Sequence, residues 1–157
     1  MAQVDMFLKL DGVQGESQDP DHKNEIQIEG FHLNCVSPRD SFTGQATGVR
    51  RWSHLTIRAK VDMSTPLLFL KVATNATVAN AVLACRKTGG GAVTYFTVTL
   101  TNVAVAKVQA GDQGEVTPQC EFDLAFGKIE IRAQPQTSLG TSGGNIMFRD
   151  ELASKAG

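Results

Sequence analysis

The sequence predicts an all-β fold with one short helix: a small bent-strand β-barrel of two antiparallel sheets. Three observations carry that expectation. Apolar residues alternate with period two in several segments, the alternation slips by one residue at three places, and a single non-alternating apolar run follows a proline.

The elements follow in chain order. Val4, Met6, Leu8 and Leu10 share one face of a first strand, with Asp5, Phe7 and Lys9 on the other. Phe7 therefore points away from the core and is expected to serve as a subunit-interface contact. The segment "DGVQGESQDPDH" gathers Asp11, Glu16, Asp19, Asp21 and His22, but it lacks the spacing of a calcium loop. It reads as a solvated connection whose carboxylates pair with a neighbouring subunit's arginines, and no metal site is assigned.

In "EIQIEGFHLNC" the inward set Ile26, Ile28 resumes as Phe31, Leu33, Cys35, a shift expected from a β-bulge at Gly30. An extended loop over residues 37–53 follows, containing "SPRDSFTGQATGVRRW". Connections this long are uncommon in a compact domain and usually have a function. The loop lacks the Gly-Lys-Ser/Thr ending of a phosphate loop, and the Arg50–Arg51 pair fits a solvated or ion-paired surface. Trp52 beside the pair suggests a covered site.

Leu55, Ile57, Ala59 and Val61 form another alternating face, opposed by Thr56, Arg58 and Lys60. "STPLLFLKVATN" predicts a helix over about residues 65–74, with Ser64 or Thr65 capping, Pro66 in the first turn and Asn75 at the end. That helix is almost without a polar face and is expected to be covered on more than one side. Residues 78–105 then read as a hairpin turning at Gly89–Gly91, with a second slip between Leu100 and Val103. Cys120, Phe122, Leu124 and Phe126 give a further inward face, and a third slip at Gly127 precedes Ile129 and Ile131. An irregular C-terminal tail, about residues 135–157, is expected to end in a short strand.

With 157 residues the chain suits a single domain, residues 1–157, able to bury a core without staples. Fifteen basic and sixteen acidic side chains leave a net charge of −1, so no global field draws it to nucleic acid or anionic lipid. Asp5 and Lys9 interrupt the first apolar stretch, so neither a signal peptide nor membrane insertion is expected. Cys35, Cys85 and Cys120 read as reduced, buried and unreactive residues. His22, His32 and His54 sit on separate segments and no serine occupies a nucleophile elbow, so the chain reads as a non-enzyme without a cofactor. Two alternatives stay open: a monomeric ligand- or carbohydrate-binding β module, and an enzyme whose site is assembled from distant residues.

The ordered pieces "VDMFLKLDGVQGES", "EIQIEGF", "SPRD", "VDMSTPLL", "LACRKTGG", "YFTVTLTNV" and "FDLAFGKIEI" closely resemble the haemolysin-coregulated protein (Hcp) family, tube subunits of the type VI secretion system. The match covers roughly residues 3–145, and the tail after Gly144 departs from it. The resemblance implies a homohexameric ring whose copies stack into a tube, expelled by a contractile sheath behind a spike and carrying small effector proteins in its lumen. It implies synthesis in the bacterial cytoplasm and export through that system. His32 matches a lumen-facing position of the family's second strand. The extended loop is expected to be an assembly arm contacting a neighbouring subunit or ring through Arg39, Asp40, Phe42, Arg50, Arg51 and Trp52.

Overall fold

The computed structural model describes residues 4–87, 93–112, 114, 117–134 and 146–152. Its strands are β1 (Val4–Leu10), β2 (Ile26–His32), β3 (Cys35–Val36), β4 (Arg51–Trp52), β5 (Leu55–Lys60), β6 (Thr77–Lys87), β7 (Val93–Gly111), β8 (Gln119–Ala125), β9 (Lys128–Ala133) and β10 (Ile146–Glu151), with helix α1 (Ser64–Thr74) between β5 and β6. The hairpin turn at Gly89–Gly91 and residues 135–145 of the tail lie outside the described residues.

The two sheets are unequal. One has eight strands in the order β10-β9-β7-β6-β1-β2-β5-β8, and an additional β7–β8 pairing closes six of them into a barrel. The other is the two-residue ladder β3–β4 at the base of the extended loop. Every pairing is antiparallel. Alternation along the strands sends Leu8, Ile26, Leu55, Ile57, Leu83, Leu100, Phe122 and Leu124 into one interior cluster, where they are fully or almost fully buried. Leu68 of α1 enters the same cluster.

The predicted slips have structural counterparts. The β2–β5 register shifts between Ile28 and Gly30, which turns Phe31 inward. The slips at Leu100/Val103 and at Gly127 lie opposite one another. Strand β7 pairs with β9 up to Thr101 and with β8 from Ala104 onward, so β8 and β9 run consecutively along one edge of β7. At the junction Asn102 adopts φ 56°, and the Gly127 amide donates to the carbonyls of Thr101 (2.9 Å) and Asn102 (3.2 Å). A Cβ on Gly127 would lie 3.3 Å from that of Asn102, so the closest approach of the corner favours glycine.

Helix α1 begins one residue before its predicted start and is capped differently. Met63 occupies the N-cap without a side-chain bond, while Asp62 Oδ1 accepts from the Ser64 amide at 2.8 Å and Thr65 Oγ1 accepts from the Asp62 amide at 3.2 Å. Asn75 ends the helix, as predicted, and does so in the left-handed region at φ 53°. The barrel covers one side only. Leu68 is buried, whereas Phe69 and Leu70 remain 44 % and 56 % exposed.

Phe7 requires a correction. It does face away from the barrel interior, but it is only 2 % exposed and is therefore not available to a subunit interface. The connection between β1 and β2 folds back as a strap over it, and the His22 imidazole stacks on its ring at 4.4 Å with an interplanar angle of 6°. On strand β6 Arg86 lies opposite Asp5 and Ala84 opposite Phe7, which brings the guanidinium to 5.0 Å from the Phe7 ring centre. The acidic cluster is corrected with it. Asp19 makes a two-pronged ion pair with Arg86 of its own chain, Asp5 adds a contact at 3.5 Å, and Asp21 approaches to 3.8 Å. Glu16, from the same strap, accepts a bond from the Met63 amide at 2.6 Å and so ties the strap to the start of α1. Gly15 runs against the Glu25 carbonyl, where a side chain would collide with backbone.

Cys85 and Cys120 are buried as expected, but Cys35 is exposed because β3 leaves the barrel. Burial pushes the Cys85 thiol up to about 11 and raises that of Cys120. A thiol reagent should thus label Cys35 rapidly in native protein, and Cys85 and Cys120 only after unfolding, a pattern mass spectrometry resolves. Phe7→Ala should cost about 3–5 kcal/mol, the usual loss for emptying a buried aromatic site. Denaturant unfolding checks this value, with the oligomeric state recorded separately.

Candidate functional site

The residues expected to act in assembly lie mostly on one projecting feature. From Asn34 to Ser53 the chain leaves the barrel as an arm whose two sides pair with each other. Beyond the β3–β4 ladder, Arg39 and Ala46 form an isolated bridge, the Thr47 amide donates to the Pro38 carbonyl (2.9 Å), and the Asp40 amide donates to the Gln45 carbonyl (2.8 Å). Asp40 Oδ1 accepts from the Phe42 amide at 2.7 Å, an Asx turn that shapes the tip. Arg39 donates to the Gly44 carbonyl at 3.2 Å, and Gly44 takes φ 74°. The arm is thus a folded hairpin rather than a loose extension.

Its tip is wet. Phe42 is 96 % exposed and Val49 71 % exposed, and Arg51 also faces solvent. A phenylalanine left almost wholly in water forgoes the burial that normally accounts for its presence.

Arg50 and Trp52 behave differently from the rest. Arg50 Nε donates to Asp150 Oδ2 at 2.6 Å and its Nη2 donates to Asp150 Oδ1 at 2.7 Å and to the Glu151 carbonyl at 2.8 Å. Trp52 Nε1 also donates to Asp150 Oδ2, at 2.8 Å. The indole packs edge-on against Phe126, 6.0 Å between ring centres, and tilted against Phe148 at 6.1 Å. These two arm residues are therefore engaged within their own chain. Asp150 went unnoticed in the sequence because it sits in a tail without periodicity, 100 residues from its arginine partner.

His32 lies at the end of β2, exposed, with Nε2 at 3.4 Å from the Asn34 side-chain nitrogen. It borders a shallow depression on the outer face of β2, β5 and β8 with Thr56, Arg58 and Glu121. That face mixes both signs of charge, and Thr56 donates to Asp123 across it at 2.9 Å. The other histidines are remote: His22 is held between Phe7 and Glu25, and His54 stands at the exposed foot of the arm.

A sequence profile of the family described as "Type VI secretion system effector, Hcp" matches residues 7–132. The chain belongs to the Hcp family. Protein hcp1 of Pseudomonas aeruginosa is 30 % identical over 145 residues, 90 % of each chain. Among solved structures, Hcp1 from Salmonella typhimurium superposes with TM-score 0.78 at 29 % identity, over 97 % of this chain and 96 % of that one. A structure described as a type six secretion system protein superposes with TM-score 0.87 at 25 % identity, over 96 % of both. Hcp membership makes the chain a structural protein of type VI secretion and supports a tube component that forms ring assemblies. No helix among the described residues is long and apolar enough to cross a membrane.

Electrostatics fixes how the strap and the arm respond to acid. Hydrogen bonding from Arg86 holds the Asp19 carboxyl at about 2, and hydrogen bonds from Arg50 and then Trp52 hold Asp150 at about 2, both below the ordinary 3.8. A depressed folded-state value stabilises fully above the unfolded value and is lost as pH falls through the folded one. Thermal stability should therefore decline between about pH 4 and pH 2 through these two groups. Asp19→Asn, which unpairs the buried Arg86, should be clearly less stable than wild type at pH 7 with the difference vanishing toward pH 2, whereas Asp150→Asn, at a partly exposed pair, should follow the same trend with only a small difference, as read by circular dichroism melts across that range.

Proposed function

We propose that this chain is the inner-tube subunit of a type VI secretion system, assembling as a homohexameric ring whose copies stack into a tube expelled by a contractile sheath behind a spike. The observation that carries this reading is the Hcp match over most of the chain together with apolar side chains that the barrel leaves uncovered. Phe69 and Leu70 on α1, Met147 and Phe148 on β10, and Phe42 on the arm are all at least 42 % exposed. Apolar surface so distributed suits a subunit with neighbours on several sides.

In this reading the arm residues Arg39, Asp40, Phe42 and Arg51 meet a neighbouring subunit or stacked ring, while Arg50 and Trp52 set the arm's base. His32 faces the lumen, where small effector proteins travel. The mixed-charge surface of Thr56, Arg58, Glu121 and Asp123 beside it supports this, since a wall of neither sign rejects few soluble cargoes. Synthesis in the bacterial cytoplasm and export through the secretion system follow from the same role.

Sedimentation and negative-stain imaging of the purified protein should show closed six-membered rings. A monomer at all concentrations would overturn the assembly and favour a ligand-binding β module. Replacing residues 41–49 by a short Gly-Ser link should leave the melting temperature within a few degrees, because the removed side chains contribute little to the core, and should abolish stacking and export. Normal tubes and export from that variant would reduce the arm to a tolerated surface loop.

A further inference from the structure

The arm's two sides are bonded to each other, which fixes its shape but not its direction. The Ser53 amide donates to the Asn34 carbonyl at 2.9 Å and the Asn34 amide to Ser53 Oγ at 2.9 Å, both within the arm's foot. Among the described residues, apart from a 3.4 Å contact between the Asn34 and His32 side chains at the foot, the polar bonds from the arm to the barrel sheet are those of Arg50 and Trp52 to Asp150 and Glu151. Both carboxylate oxygens of Asp150 are fully employed. Oδ2 accepts from Arg50 Nε and Trp52 Nε1, and Oδ1 accepts from Arg50 Nη2 and, at 2.9 Å, from the Glu151 amide.

Asp150 is itself rigidly placed. Strand β10 pairs with β9 along its whole length, Asp150 lies opposite Ile129, and the Leu152 amide donates to the Gly127 carbonyl at 2.8 Å. Phe148, two residues earlier on the same face, supplies one of the two aromatic walls for Trp52. The clasp thus has a planar fork on a planar carboxylate, a second donor fixing the rotation, and apolar walls on two sides. Arginine rather than lysine is the residue that such geometry uses.

We propose that the C-terminal strand β10 sets the direction of the arm, with Asp150 the positioning residue that holds Arg50 and Trp52 against the barrel and so presents Phe42 at a fixed angle. The proposal rests on the reading of the arm as an assembly element, and it assigns a task to a strand that lies beyond the 7–132 span matched by the family profile. Its partner is chemically defined: the surface that receives Phe42 is on a second copy of this chain. A partly exposed ion pair contributes little to global stability, so loss of the clasp changes orientation more than folding.

Trp52 is the single tryptophan of the chain, so emission excited selectively at the indole, beyond the absorption of the one tyrosine, reports on the clasp alone. Asp150→Asn and, independently, Arg50→Gln should shift Trp52 emission to the red, raise its quenching by acrylamide, and speed tryptic cleavage at Arg51 in proportion to the open population. The melting temperature should change little, and stacking of rings should be lost or slowed. Asp150→Glu, which keeps a carboxylate able to accept from both Arg50 and Trp52, should recover emission, quenching and stacking toward wild type, a rescue that a merely space-filling role does not distinguish from Asp150→Asn. Unchanged emission, quenching and cleavage in both single variants overturn the proposal. Failure of both variants to fold also overturns it, by making the clasp a requirement of the fold. The assembly reading is separated by the variant shortened at 41–49: if that protein still stacks, the arm has no assembly role, while Trp52 still decides whether the clasp exists. If shortening abolishes stacking but the loosened variants stack as wild type, the direction set by Asp150 is irrelevant and the proposal alone falls.

Discussion

Barrel closure depends on one corner, where β7 changes partner. A nineteen-residue strand cannot stay straight around a small barrel, and twist accumulates until pairing must be renegotiated. Asn102 absorbs the bend in β7 by entering the left-handed region, and Gly127 absorbs it in the facing run, where the amide bonds to two successive carbonyls. Because both sides slip at the same place, Leu100 and Ile129 point inward before the corner, and Val105 and Leu124 point inward beyond it. Past the corner β8 joins β5 and completes the barrel, while β9 turns away and offers its free edge to β10. The wing that carries Asp150 exists because the corner splits these two paths.

Two arginines then fasten excursions that the barrel itself does not hold. Arg86 draws the strap between β1 and β2 down over Phe7, and Arg50 draws the arm against β10. The two differ in setting. Arg86 is 7 % exposed and closes over an aromatic ring, so removing either partner leaves a desolvated charge, and the strap should be among the more stable parts of the surface. Arg50 is partly in water, and its pairing is weaker and more open to exchange. The fold thus fixes one excursion firmly, as a cover over its own barrel, and the other lightly.

What the sequence disclosed follows from the range of the forces involved. Alternation, the bulge at Gly30, the two slips that build the corner and the helix end at Asn75 are local, and each left a mark in a short window of residues. The fate of Phe7 was not local. Its outward direction was legible, but the strap over it depends on Arg86, 79 positions later, and on the register that sets Asp5 against Arg86. Cys35 continued an inward phase on paper, yet β3 had already left the barrel. Of the arm, its length and polarity marked it off from the barrel and its Arg-Arg pair suggested ion pairing, which Arg50 makes, but Asp150 lay in a tail with no pattern to point to it.

The folded state of the arm bears on how an assembly of such subunits would be driven. Fixing a residue's backbone costs about 1–2 kcal/mol, so a disordered arm of this length would consume much of what a new contact releases. Here the turn at Asp40, the cross-arm bonds and the clasp at Asp150 place that expense on folding of the subunit instead. In the proposed assembly, what remains for association is burial of Phe42 and Val49, already held in place, and loss of a few side-chain rotamers. Preorganisation of this kind raises affinity without enlarging the interface. It also explains why an arm so exposed carries so few apolar groups: a stiff projection needs one anchor at its tip, and every further one would be a liability while the subunit is still alone in water.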